Sequence, residues 1–231
     1  MSALTGPSLP AKSGEAKSAV VFLHGYGADG PDLLGLGDVL ADHLPDTAFY
    51  APNAPERSVM NPMGYQWFPI PRMDGSTEAQ RAASMEVSIG LVNDYLDGIL
   101  RETGLPAGKL ALIGFSQGTM MSLQVAPRRP AVGRPAGADD LRPEQLACVV
   151  GFSGMLLAPE RLADEIVTRP PVLLIHGDAD PVVPFENLEL AARGLADAGI
   201  EVRVLPCRNV QHSISPEGLG AALQMLKSHL G

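Results

Sequence analysis

The sequence predicts an α/β fold, a mostly parallel central sheet with helices on both faces. Short apolar runs, "SAVVFL", "KLALIGF", "ACVVGF" and "PPVLLIHG", recur along the chain without the alternation of a half-exposed strand. Such runs mark strands buried on both sides. Between them lie longer segments whose apolar residues fall three and four apart, the spacing of helices. The chain has 231 residues, 45% of them hydrophobic. That is enough for one sizeable core, so a single domain over residues 1–231 is expected.

Ser18 to Leu23 reads as the first central strand and ends in the glycine-rich turn "HGYGADG". A helix is expected from about Asp32 to His43, then a strand at "TAFYAP". Residues 53–75 hold several prolines and no period, so they read as a long loop of the kind that usually serves function. Met60, Met63 and Met73 within it could line an adaptable apolar pocket. Ser76 or Thr77 can cap the next helix, whose apolar positions are Val87, Leu91, Tyr95, Leu96 and Ile99; Gly104 and Pro106 end it. Lys109 to Phe115 is a strand and "QGTMMSLQVA" a helix. Pro127 to Glu144, rich in proline, arginine and small residues, reads as a surface insertion. Two more strands, "ACVVGF" and "PPVLLIHG", precede a helix from about Phe185 to Ala198 that Gly199 closes. "EVRVLP" is the last strand, and Ser215 with Pro216 starts the last helix as cap and first residue.

The formal net charge is -9, with 19% charged residues. An acidic surface repels phosphate backbones, so nucleic acid is not expected as a partner. No run of about 20 apolar residues occurs, so no membrane span is expected. The N-terminal stretch lacks the layout of a signal peptide, and two cysteines, Cys148 and Cys207, make no disulfide framework. A cytoplasmic location is the expectation.

"ALIGFSQGTM" has the form G-x-S-x-G, with Gly114, Ser116 and Gly118. Ser116 stands at a strand end directly before a helix, the context of a nucleophile elbow. The turn is so sharp that side chains two positions either side would strike backbone, which glycine avoids. It also aims the backbone N–H of Gln117 toward a developing oxyanion. "VVGFSGML" offers a second serine after Gly-Phe, but Ser153 is followed two positions on by the bulky Met155 and by no clean helix start. A serine nucleophile needs a base, and the base needs an orienting carboxylate, in the chain order serine, acid, histidine. Of the histidines after Ser116, His176 precedes the acid loop and His229 sits near the end; His212, in the loop before the last helix, is in the base position. Asp178 and Asp180 both qualify as the acid. Asp178 is suited to bonding its own turn, while Asp180 stands further out with Pro181 behind it. A second oxyanion donor is expected in "FLHGYGADG", at the N–H of Tyr26, with Gly25 and Gly27 letting the backbone bend. His24 reads as a packed structural residue.

"VVFLHGYGADG", "APNAPER", "QWFPI", "LIGFSQGTMMSL", "VVGFSGML", "LIHGDADPVVP" and "VQHS" together resemble the phospholipase/carboxylesterase family of α/β-hydrolases, from about Ser18 to the last helix. That family includes acyl-protein thioesterases and small bacterial carboxylesterases. The resemblance implies an α/β-hydrolase fold, Ser116 as nucleophile, Asp180 as acid, His212 as base and oxyanion donors at Tyr26 and Gln117. It also implies that Trp67 and Phe68 lie beside the acyl pocket as substrate contacts. Thr119 departs from the second glycine common after the elbow, and the 127–144 insertion is longer than the pattern. The expectation is a serine carboxylesterase acting on esters of small or medium acyl chains through an acyl-enzyme. The alternatives are a thioesterase or lysophospholipase and, from another class, a non-catalytic binding protein on the same fold. A small-molecule ester is the expected partner, a homodimer is possible, and no cofactor or metal is expected, since no H-E-x-x-H or clustered Cys/His spacing occurs.

Overall fold

A computed structural model describes residues 3–129 and 145–231. The chain begins with a two-residue strand, β1 (Ser8–Leu9), followed by β2 (Ser18–Leu23), α1 (Gly30–Ala41) and β3 (Thr47–Tyr50). α1 starts two residues before the expected Asp32. Asp29 is its cap and accepts from Asp32 N–H, while the Asp32 carboxylate accepts from Asp29 N–H. This reciprocal pair satisfies two donors that the first turn leaves free.

Residues 53–75 are not the plain loop that their lack of period suggests. They hold a small antiparallel ribbon, β4 (Glu56–Arg57) with β5 (Tyr65–Gln66), and a single-turn helix, α2 (Pro71–Asp74). Two-residue strands are too short to leave a period. α3 (Glu78–Thr103) follows, capped by Thr77 in a box with Gln80 and closed by Gly104 at φ 70°. Its buried stripe is Met85, Ser88, Val92, Leu96 and Ile99, whereas the expected Val87, Leu91 and Tyr95 flank it half-buried.

β6 (Leu110–Phe115) leads into α4 (Gln117–Arg128). Pro127 and Arg129, read as surface insertion, are buried at the end of this helix. Pro127 cannot donate to Leu123 O, and Arg128 Nη1 reaches that carbonyl instead at 3.4 Å. Arg129 pairs with Asp97 and Asn93 on α3. The rest of the expected insertion, 130–144, lies outside the described residues. The chain resumes with β7 (Val149–Phe152), α5 (Pro159–Glu165), β8 (Val172–Gly177), α6 (Glu186–Asp197), β9 (Val202–Cys207) and α7 (Pro216–Leu230). Ser215 caps α7 by accepting from Gly218 N–H, with Pro216 at the helix start, as the sequence predicts. α5 was not expected.

The seven-stranded sheet runs in the order β1-β3-β2-β6-β7-β8-β9, parallel throughout except for β1. Alternate residues of each strand feed two cores. Val21, Leu23, Leu110 and Leu112 pack with residues of α3, α4, α5 and α6. Val20, Phe22, Ala111 and Ile113 pack with residues of α1 and α7. Burial on both faces accounts for the unbroken apolar runs. β6 is central, so the residue after it emerges in the middle of the carboxyl edge of the sheet, where open α/β sheets place ligands. Among the described residues no helix is long and apolar enough to cross a membrane.

Candidate active site

Ser116 follows β6 directly and sits at φ 53° and ψ -114°, a strained backbone for a residue with a side chain. The turn survives because its flanking positions have no Cβ. A Cβ on Gly118 would lie 1.7 Å from Leu23 O, and one on Gly114 would lie 2.4 Å from Thr119 N. Ser116 is also the residue preceding α4, yet its hydroxyl caps nothing, so Oγ is free to face the adjoining cavity. Thr119 Oγ1 lies 2.8 Å from both Gly114 O and Phe152 O, so its proton ties the elbow to β7. Its side chain fits because Gly151 and Gly154, where a Cβ would approach it to 2.5 and 2.4 Å, have none. The departure at 119 is thus matched on the neighbouring strand.

Asp180 and His212 meet across the loops after β8 and β9. His212 Nδ1–H donates to Asp180 Oδ2 at 2.7 Å. Asp180 Oδ1 accepts from Val182 N–H (2.8 Å) and Val183 N–H (3.0 Å). Burial opposes the carboxylate's charge, but the bond from His212 and the two backbone bonds outweigh it and hold the Asp180 carboxyl below its ordinary range. The carboxylate orients Nδ1–H, which leaves Nε2 of His212 as the acceptor. Phe115, beside Ser116, packs on the His212 ring at 4.9 Å between centroids. Buried His176 donates Nε2–H to Val183 O (3.0 Å) and lies 3.3 Å from Asp180 Oδ2, behind the pair. No hydrogen bond joins Ser116 Oγ to His212 among the described residues, although both line the same cavity. Asp178 does not bond its own turn. Its Oδ1 accepts from Asn209 N–H at 2.6 Å, tying the acid loop to the histidine loop.

Ser153 shares more with Ser116 than the sequence suggests, since it too has a positive φ of 47°. It is buried, its Oγ has no partner among the described residues, and it is absent from the cavity wall.

A cavity of about 410 Å³ opens beside Ser116 and His212. Tyr26, Gln117 and Phe68 line it. Trp67 does not, and its expected role as a substrate contact is corrected: the indole is fully buried and donates Nε1–H to His24 O at 2.9 Å. Because the chain alternates there, Phe68 faces the cavity while Trp67 faces inward. Met73 lines the wall, but Met60 and Met63 stand in solvent on the β4–β5 ribbon. The wall includes Met120, Met155, Leu157, Val182 and Val183, which sequence reasoning missed. Met120 was within reach of it, since it follows Ser116 by one helical turn. Among the described residues no group of three or more His, Cys, Asp or Glu stands together as a metal site.

A family model described as phospholipase/carboxylesterase matches residues 5–230. Esterase YpfH of Escherichia coli (strain K12) is 28% identical over 213 residues, which cover 92% of this chain and 83% of that protein. Acyl-protein thioesterase 1 of Neurospora crassa is 28% identical over 227 residues, covering 92% and 87% respectively. The crystal structure of esterase PE8 superposes with a TM-score of 0.88 at 42% identity, over 99% of this chain and 100% of that one. With its parallel sheet, strained serine turn and carboxylate-bound histidine, the chain belongs to the phospholipase/carboxylesterase family of α/β-hydrolases.

Proposed function

We propose that the protein is a serine carboxylesterase. Ser116 attacks the ester carbonyl, His212 Nε2 takes its proton and passes it to the departing alcohol, and Asp180 holds the imidazole and stabilises its charged form. Water then repeats the sequence on the acyl-enzyme. The N–H groups of Tyr26 and Gln117 receive the oxyanion; Gln117 is the first residue of α4, so its N–H has no partner within the helix. The observation that carries this reading is the 2.7 Å bond from His212 to Asp180 beside the cavity that Ser116 lines. The esterase names of YpfH and PE8 support the ester substrate. A largely apolar wall of Phe68, Ile70, Met120 and Leu157 suits a small or medium acyl chain. A cytoplasmic site of action is supported by the two buried free cysteines.

The second reading, a thioesterase, is favoured by the name of the Neurospora crassa relative. Rates on p-nitrophenyl esters of rising chain length, beside a matched acyl-thioester, test both. Higher kcat/KM on the oxygen esters is expected; a thioester preferred at every chain length reverses the assignment, and no turnover of either overturns both.

A further inference from the structure

The two proposed oxyanion donors sit on different segments, Tyr26 in the loop after β2 and Gln117 at the start of α4. Both must aim at one oxygen to within a few tenths of an ångström to be effective. Three buried side chains, those of Gln117, Trp67 and His24, join these segments, and Ser88 anchors the middle one. The Gln117 carboxamide accepts from Trp67 N–H (2.9 Å) and donates to Phe68 O (2.7 Å). The Trp67 indole donates to His24 O (2.9 Å), and Ser88 of α3 donates to Trp67 O. His24 accepts from Ala54 N–H at Nε2 (3.0 Å), which fixes its tautomer and leaves Nδ1–H to donate to Gly25 O at 2.8 Å. Burial favours this neutral ring.

Gly25 C=O and Tyr26 N–H belong to the same peptide group. A donor on the carbonyl polarises the N–H, a cooperative strengthening of about 10–30% per bond. We propose that His24 and Trp67 are positioning residues of the reaction, forming with the Gln117 side chain a brace that fixes the spacing of the Tyr26 and Gln117 N–H groups and strengthens the first. The brace rests on the esterase reading and gives "QWFPI" a task other than touching substrate.

The test compares His24→Gln, which keeps an acceptor for Ala54 but loses the donor to Gly25 O, with His24→Asn, which keeps the donor. Removing a whole oxyanion donor costs about 10²–10³ in kcat, and a weakened donor should cost less. His24→Gln is expected to lose about tenfold or more in kcat with KM nearly unchanged, and His24→Asn to recover most of it; Trp67→Phe should lose as His24→Gln does. Equal kcat in His24→Gln and wild type overturns the proposal, as does a loss the same in both His24 variants. The wild type gives a readout that needs no variant, because Trp67 is the chain's single tryptophan. When a trifluoromethyl ketone is added, Ser116 Oγ bonds to its carbonyl carbon. The C=O pair moves onto oxygen, and the serine proton passes to His212. The ¹⁵N–¹H resonance of the indole should shift in that adduct. An adduct seen by ¹⁹F NMR with an unmoved indole resonance contradicts the brace alone. A wild type that forms no adduct and hydrolyses no ester overturns the esterase reading, and the brace with it.

Discussion

Asp180→Asn perturbs the proposed reaction with the least change of shape. In the native protein Oδ1 accepts two backbone N–H groups, at 2.8 and 3.0 Å, and Oδ2 accepts from His212 Nδ1–H at 2.7 Å. Asparagine has one acceptor oxygen. The two backbone donors claim it, which turns the NH₂ toward His212. An NH₂ cannot accept from Nδ1–H, so the imidazole must carry its proton on Nε2, where it cannot receive the one from Ser116. The same change in the triad of a serine protease lowers kcat about 10⁴-fold, equivalent to about 5.5 kcal/mol of barrier. The loss of a charged hydrogen bond should lower folding stability by about 1.5–3 kcal/mol. Because the native carboxyl is held below its ordinary 3.8, this stability is present above that value and disappears as pH falls through the lowered one. The stability difference between wild type and variant should therefore shrink below about pH 4. Initial rates on p-nitrophenyl butyrate at pH 8, with urea unfolding as control, decide it. A folded Asp180→Asn within tenfold of wild-type kcat refutes the tautomer reasoning. Asp178→Asn keeps an acceptor for Asn209 and should stay within about threefold.

Ser116→Ala should lose about 10⁴–10⁶ in turnover and fold normally, whereas Ser153→Ala should keep the native rate; the reverse pattern in the same ester assay would reassign the nucleophile. Gly118→Ala forces a Cβ to within 1.7 Å of Leu23 O, so urea unfolding should show a loss of more than about 3 kcal/mol; a native midpoint would mean the turn has room. Ile70→Ala enlarges the cavity wall and should move the preferred acyl chain toward longer members, at about 0.8 kcal/mol per buried CH₂; an unchanged profile on the ester panel removes Ile70 from the acyl site. The rate should fall on the acid side as His212 takes a proton, and a flat profile from pH 5 to 9 with chemistry rate-limiting would exclude a histidine base.

The core of the fold was legible because its strands are buried on both faces and say so in unbroken apolar runs; β2, β6, β7 and β8 lie within the expected segments. The serine turn was legible for a steric reason, since Gly114 and Gly118 each stand against backbone. Short elements were not. β1, the β4–β5 ribbon and α5 are held by tertiary packing and have too few residues to carry a period. Trp67 was misread because an aromatic next to a site looks the same in sequence whether it faces the cavity or the core. The burial of the indole and its bond to His24 O separate the two. The wall residues Met155, Leu157, Val182 and Val183 come from loops whose approach to Ser116 is set by the sheet order, which local pattern does not encode. Asp178 was assigned to its own turn for the same reason; its partner Asn209 lies 31 residues away.

The central claim is that Ser116 is the residue acylated during turnover. Treatment of the wild type with a fluorophosphonate, then peptide mass spectrometry, measures it directly. The label is expected on the peptide carrying Ser116, with loss of esterase activity in proportion to labelling, and on no peptide of Ser116→Ala. A label on Ser153, or full ester hydrolysis by an enzyme that takes no label, would contradict it.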